Sequence, residues 1–361
     1  MEAPVALTAA DRAELAIATA AVALPPRAKR RLAGPPVRRD GLELDLDSQL
    51  LLRLFEARRL PPLEKRTPDQ ARADVRRSAR IVQGPPEPVR EARATTVAGA
   101  AGPLPARLYV PAEAAGAEPG ALVVFFHGGG WVVGDLDTHD RPCRLLAVTS
   151  GARILAVDYR LAPEHRYPAA VDDALAAFRD AVARAQELGA DPGRVAVAGD
   201  SAGGHLAAVT ALRAVADGGP APAFQLLVYP PTDAACELPS RTTFADGFYL
   251  TKADMDWYER QFLGPDADRL DPCVSPLRAE NHTGVAPALV VTAGFDPLRD
   301  EGEAYAAKLA ADGVPVLLRR HPGYVHAFFN VLGLGRGPAR AVAEIGGVLR
   351  AALTSTERIP A

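Results

Sequence analysis

Apolar positions change their spacing part-way along the chain. Over the first ninety residues they recur at helical intervals. Residues 8–23 are alanine-rich and periodic, and Pro25 and Pro26 end them. Leu50, Leu51, Leu54 and Phe55 fall at helical spacing after Asp47. Thr67-Pro68 has the form of an N-cap followed by proline at the first helical position, which predicts a helix to about Ile81. Pro85, Pro86 and Pro88 then mark a junction.

Beyond the junction, short apolar runs alternate with helical stretches. RLYV (107–110), ALVVFF (121–126), ARILAV (152–157), RVAVAG (194–199), FQLLVY (224–229), PALVVTA (287–293) and PVLLRR (315–320) read as strands. Helical stretches lie near 168–188, 203–216, 301–312 and 337–352. The strands lack a clean apolar–polar alternation, so both sheet faces are covered. The expected architecture is α/β, with a mostly parallel central sheet flanked by helices.

Residues 232–284 do not fit a short crossover. They hold a predicted helix from Thr251 to Phe262 and the aromatic residues Phe244, Phe248, Tyr249, Trp257 and Tyr258. An insertion of this length is usually a lid or a binding element. Together with the N-terminal helices it would form a mainly helical cap over the C-terminal edge of the sheet. The expected organisation is an extension with cap helices at 1–90, a first core part at 91–231, a cap insertion at 232–284 and a second core part at 285–361.

Composition narrows the functional classes. The chain has 361 residues, 48% of them apolar, and a formal charge of −3. That balance provides no general attraction to nucleic acid or to an anionic membrane. RAKRR at 27–31, with Arg38 and Arg39, is a short basic patch, read as a solvated face. Cys143, Cys236 and Cys273 are too few and too scattered for a disulfide framework, and no His/Cys cluster has zinc spacing. No apolar run is long enough to span a bilayer. LAIATAAVAL at 15–24 follows Glu2, Asp11 and Glu14, whereas a secretory leader has a basic n-region. A cytoplasmic protein with reduced thiols is expected, export being the alternative.

The candidate nucleophile is Ser201 in Gly199-Asp200-Ser201-Ala202-Gly203. The motif follows a predicted strand and precedes a predicted helix, the context of a nucleophile elbow. Serine needs a base to take its proton. In the elbow-bearing folds, an acid and then a histidine follow the serine along the chain. His326, in GYVHAFF after the last predicted strand, is the favoured base; His321 is the second candidate. His205, on the helix behind the elbow, and His282, before the acid's strand, fit less well. Asp296 follows PALVVTA and would orient the histidine. Asp300 is the alternative acid, although it and Glu301 suit a helix start.

His127-Gly128-Gly129-Gly130-Trp131 follows the strand ALVVFF. Three glycines leave amides free of side-chain obstruction. Gly128 and Gly129, with Ala202 after the nucleophile, are the expected oxyanion donors. No lysine follows as in a phosphate-binding loop. His127 is read as positioning the loop, and Trp131 either lines an acyl pocket or packs. Trp131, Phe248, Tyr249, Trp257 and Tyr258 are the candidate pocket residues. In Asp158-Tyr159-Arg160-Leu161-Ala162-Pro163-Glu164-His165 the polar groups are read as loop braces.

These motifs resemble the bacterial hormone-sensitive-lipase family of α/β-hydrolases, the family IV esterases. The matching elements are HGGGW (127–131), DYRLAPEHRYPAA (158–170), GDSAGG (199–204), DPLRDEG (296–302) and YVHAFF (324–329), in the same order and at similar spacing. The similarity runs from about residue 40 to the C-terminus. It implies Ser201, Asp296 and His326 as a triad, an oxyanion hole of Gly128, Gly129 and Ala202, and a helical cap. It also implies carboxylesterase action on short and medium acyl chains, and for many members a homodimer. Asp200 places the chain in the GDSAG branch. The implied partners are a small ester and water, with no metal or organic cofactor. A lactonase, a metabolite deacetylase or a lipase would use the same triad. A non-catalytic small-molecule binder is the remaining alternative, and the presence of His326 argues against it.

Overall fold

The computed structural model describes residues 7–58, 61–114 and 119–354. Its N-terminal part is helical: α1 (Ala9–Ala23), α2 (Pro26–Ala33), α3 (Leu46–Ala57) and α4 (Pro68–Val82), with a small hairpin of β1 (Arg38–Arg39) and β2 (Leu42–Glu43) between α2 and α3. Thr8 and Thr67 each close a capping box, with Asp11 and Gln70. The apolar stripes of α1, α3 and α4 meet in a small cluster with Leu334. Ion pairs from Arg77 and Arg58 to Glu14 lie beside it.

Two features of this region escape the sequence pattern. α2 and the hairpin carry too few apolar residues to show a period. The basic patch is also only partly solvated. Lys29 pairs with Asp47 at 2.5 Å, and Arg30 donates to the Gln49 side chain at 2.8 Å, while Arg27 and Arg31 stay exposed.

The rest of the chain is built on an eight-stranded sheet. Its strands are β3 (Glu91–Gly99), β4 (Gly102–Val110), β5 (Gly120–Phe126), β6 (Arg153–Val157), β7 (Ala190–Asp200), β8 (Gln225–Val228), β9 (Ala288–Phe295) and β10 (Val316–Val325). The spatial order is β10-β9-β8-β7-β5-β6-β4-β3. The β3–β4 and β4–β6 pairs are antiparallel and the remaining pairs are parallel. β3 was not evident in the sequence because its residues are mostly exposed and it forms the outer edge of the sheet.

The helices that cover the sheet are α5 (Asp140–Ser150), α6 (Ala169–Ala183), α7 (Ala202–Ala216), α10 (Arg299–Ala311) and α11 (Gly337–Thr354). Strand period two sorts the core into two halves. Leu122, Val124 and Phe126 of β5 face the layer of α6, α7 and α10. Val123 and Phe125 face the layer of α5 and α11. This double coverage explains the continuous apolar runs of the central strands. α5 escaped the sequence reading because Pro142 looks like a breaker; it stands in the first turn, where no intrahelical N–H partner is lost.

Between β8 and β9 the chain leaves the sheet and forms α8 (Ser240–Thr243) and α9 (Lys252–Phe262). Thr251 caps α9 through a box with Asp254. Residues from α3, α4 and this segment, together with loops at the C-terminal ends of the strands, surround one cavity of about 650 Å³. Among the described residues, no helix is long and apolar enough to cross a membrane.

Candidate active site

β7 ends at Asp200 and α7 begins at Ala202, so Ser201 makes the whole turn. It does so at φ +53°, ψ −121°, a conformation that costs a non-glycine residue energy. The turn is held by backbone bonds: Ser201 N–H donates to Val228 O at 2.8 Å, and Ser201 O accepts from His205 N–H at 3.0 Å. Gly203 lets α7 approach β5, because a Cβ there would stand 1.9 Å from Phe126 O. The result lifts the serine hydroxyl above the end of the sheet.

The hydroxyl meets a histidine. Ser201 Oγ lies 2.9 Å from His326 Nε2, and His326 Nδ1 lies 2.7 Å from Asp296 Oδ2. β10 runs to Val325, further than its apolar run suggests, so His326 leaves directly from the strand end. Asp296 follows β9, is fully buried, and accepts Leu298 N–H on its other oxygen at 2.9 Å. A carboxylate only accepts, so His326 carries its proton on Nδ1 and offers a bare Nε2 to the serine. The Tyr229 ring packs 4.4 Å from the imidazole.

The glycine loop requires a correction. Gly128 N–H donates to Asp200 Oδ1 at 2.9 Å and is therefore not available as an oxyanion donor. The N–H groups of Gly129, Gly130 and Ala202 meet no acceptor among the described residues, and all three residues line the cavity beside Ser201. Gly130 has φ +56°, and a Cβ on it would lie 2.2 Å from the Tyr258 ring. Glycine is required there both for the backbone conformation and for the contact with α9.

The aromatic candidates divide. Trp131, Tyr249 and Tyr258 line the cavity. Trp131 stacks on Phe262 at 4.3 Å and donates its indole N–H to His205 Nδ1 at 3.2 Å, so it both lines and packs. Phe248 and Trp257 are not lining residues. Phe248 packs against Phe244 and Phe295 at 5.5 and 5.3 Å, and Trp257 is buried in the main core. Lining residues not singled out in the sequence include Leu63, Val75, Val82, Leu250 and Leu298. The helical stripe of α4 held the signal for Val75 and Val82.

Residues 123–330 match the family described as alpha/beta hydrolase fold. The chain belongs to the α/β-hydrolase family. Within it the chain falls in the hormone-sensitive-lipase branch. This hydrolase is 47% identical to the carboxylic ester hydrolase LipN of Mycobacterium tuberculosis, over 92% of the chain and 89% of that protein. It is 40% identical to an ethyl acetate hydrolase of Pseudomonas putida, over 80% and 93%. Its fold superposes with TM-score 0.84 on an ester hydrolase from the Lake Arreo metagenome, solved with a bipyridine phosphonate derivative. Identity there is 39%, and the match covers 86% of this chain and all of that one.

The other titratable candidates of the hydrolase have structural partners. His321 is packed against Tyr324 and Phe328. Asp300 accepts Ser240 N–H at 2.8 Å, and Glu301 accepts Thr232 N–H at 2.8 Å and Arg241 at 2.7 Å. Burial pushes Glu301 up to about 7 against the pull of Arg241. His282 lies between Asp312, at 2.8 Å, and Pro276 O, at 3.0 Å. Glu164 pairs with Arg72 at 2.6 Å. His127 stacks on Tyr159 at 4.4 Å, and its Nδ1 meets Gly128 O at 2.8 Å. Burial, with His139 nearby, holds His127 down to about 4, and burial does the same to His205.

Proposed function

We propose that this hydrolase is a serine carboxylesterase acting on short- to medium-chain carboxylic esters through an acyl-enzyme. The observation that carries the reading is the Ser201–His326–Asp296 chain of hydrogen bonds, ending in the cavity that Gly129, Gly130 and Ala202 also line, their amides meeting no acceptor among the described residues. His326 Nε2 takes the Ser201 proton as Oγ attacks the ester carbonyl. The carbonyl oxygen becomes an oxyanion and receives the N–H groups of Gly129, Gly130 and Ala202. Asp296 stabilises the imidazolium, which then protonates the departing alcohol. Water, deprotonated by the same histidine, frees the acid and restores Ser201.

The cavity, at about 650 Å³, is in the range of small-ligand sites and is walled mainly by apolar side chains. That suits an uncharged ester of modest length. The α3–α4 region and residues 232–284 act as the cap that walls the site. The three cysteines are unpaired, which suits a reducing cytoplasm. Assembly into a homodimer, implied by the family resemblance, is read by sedimentation velocity.

A series of p-nitrophenyl esters from acetate to palmitate tests the reading. Turnover should peak at short to medium chains, and Ser201→Ala should abolish it while leaving the melting temperature near that of the parent. Wild-type ester turnover by a folded Ser201→Ala protein would remove the assignment.

A further inference from the structure

Asp200 precedes the nucleophile, is 2% exposed, and has no part in the proton path above. Its carboxylate is saturated. Oδ1 accepts Gly128 N–H at 2.9 Å and meets His139 Nε2 at 3.1 Å. Oδ2 accepts Asn330 Nδ2 at 2.9 Å and Tyr229 O–H at 3.4 Å. A carboxylate offers about four lone-pair sites, and all are used. His139 Nε2 also lies 3.3 Å from the Gly128 nitrogen. Because the oxygen beside them only accepts, both N–H groups are directed at Oδ1.

These four donors come from separate parts of the site. Gly128 begins the loop whose next two amides, the Gly129 and Gly130 N–H groups, meet no acceptor among the described residues. His139 stands at the start of α5, and Tyr229 follows β8. Asn330 lies four residues after His326, and Asp200 itself adjoins Ser201. A Cβ on Gly128 would lie 2.6 Å from Asp200 Oδ2, so the loop sits directly on the carboxylate. We propose that Asp200, braced by His139 and Asn330, is a positioning residue that sets the oxyanion amides in register with the nucleophile and the base. The proposal rests on the triad reading above. Burial opposes the charge on Asp200, but His139, Asn330 and the Gly128 amide together hold its carboxyl below the usual carboxylate range.

The amide group of Asn330 has an unpartnered buried oxygen, so it can turn to face an amide at position 200. Asp200→Asn then keeps an oxygen for Gly128 and His139, whereas Asp200→Ala removes the acceptor that the four donors share. With p-nitrophenyl butyrate, Asp200→Ala should lower kcat about 100-fold, as for one misplaced oxyanion donor, with little change in KM. A trifluoromethyl ketone, which places an oxyanion in the hole, should bind more weakly by about the same factor. Asp200→Asn should recover most of both. If Asp200→Ala does not fold, His139→Gln and Asn330→Ala carry the test, each lowering kcat and ketone affinity together. A folded Asp200→Ala protein with parental kcat, or one that loses KM but not ketone affinity, overturns the proposal; so do parallel null results for His139→Gln and Asn330→Ala. Ser201→Ala, run beside them, separates the levels. If it is inactive while Asp200→Ala is normal, only the positioning role fails, whereas an active Ser201→Ala removes the triad reading itself.

Discussion

Asp296→Asn changes one atom type in the buried pair and leaves the shape intact, so its effect can be worked out bond by bond. In the parent, Oδ1 accepts Leu298 N–H at 2.9 Å and Oδ2 faces His326 Nδ1 at 2.7 Å. An asparagine keeps the Leu298 bond by directing its oxygen there, because the opposite orientation would set two donors together at a cost of about 1–3 kcal/mol. Its NH2 group then faces Nδ1. The imidazole responds by moving its proton to Nε2, where it points at Ser201 and blocks proton removal. The expected loss is about 10⁴-fold in kcat, near 5 kcal/mol of barrier, as for the wrong tautomer in such triads. Stability should change by less than about 1 kcal/mol, since every group keeps a partner. Initial rates with p-nitrophenyl butyrate and urea unfolding measure the two quantities. A folded Asp296→Asn protein that loses less than tenfold in kcat would refute the tautomer argument.

Two further predictions use other parts of the structure. Gly203→Ala places a Cβ 1.9 Å from Phe126 O, so the elbow must shift; activity should fall with a destabilisation of about 1–3 kcal/mol, read by rates and melting. His205 is held at about 4 by burial against an ordinary value near 6.5, so the unfolded chain binds its proton first as pH falls and stability is lost below 6.5. Between pH 7.5 and 5 that single residue should cost about 2 kcal/mol. Asp158 and Glu301, raised by burial to about 6 and about 7, act in the opposite sense and His127, also held at about 4, acts in the same one, so the whole-protein slope does not isolate His205. His205→Gln, which keeps an acceptor for the Trp131 indole, isolates it: urea unfolding at the two pH values should show the variant gaining about 2 kcal/mol on the parent at pH 5. Equal slopes would contradict it.

Local information was enough for much of this protein. Helical and strand periods, the Thr67-Pro68 cap and the glycines around Ser201 are consequences of backbone sterics and short-range hydrogen bonds. A sequence carries these directly. Ser201, Asp296 and His326 were legible for the same reason, since each sits in a short motif immediately after an apolar strand. β3 and α2 were not legible, because a mostly exposed edge strand and a polar helix need few apolar residues to be stable where they are.

The tertiary structure decided which groups are already occupied. Three consecutive glycines are alike in sequence, but only the fold brings Asp200 against the first of them and leaves the next two amides without an acceptor among the described residues. Tyr258 and Trp257 are adjacent aromatics, yet the direction of α9 turns one toward the cavity and the other into the core. Phe248 and Tyr249 separate in the same way, across a turn where Tyr249 adopts φ +77°. In its motif Asp200 marks only the GDSAG branch, and it becomes a shared acceptor only when the glycine loop, the start of α5, Tyr229 and the segment after His326 converge on it. Hydrogen-bond saturation depends on groups distant in sequence, so it appears only after the chain has folded.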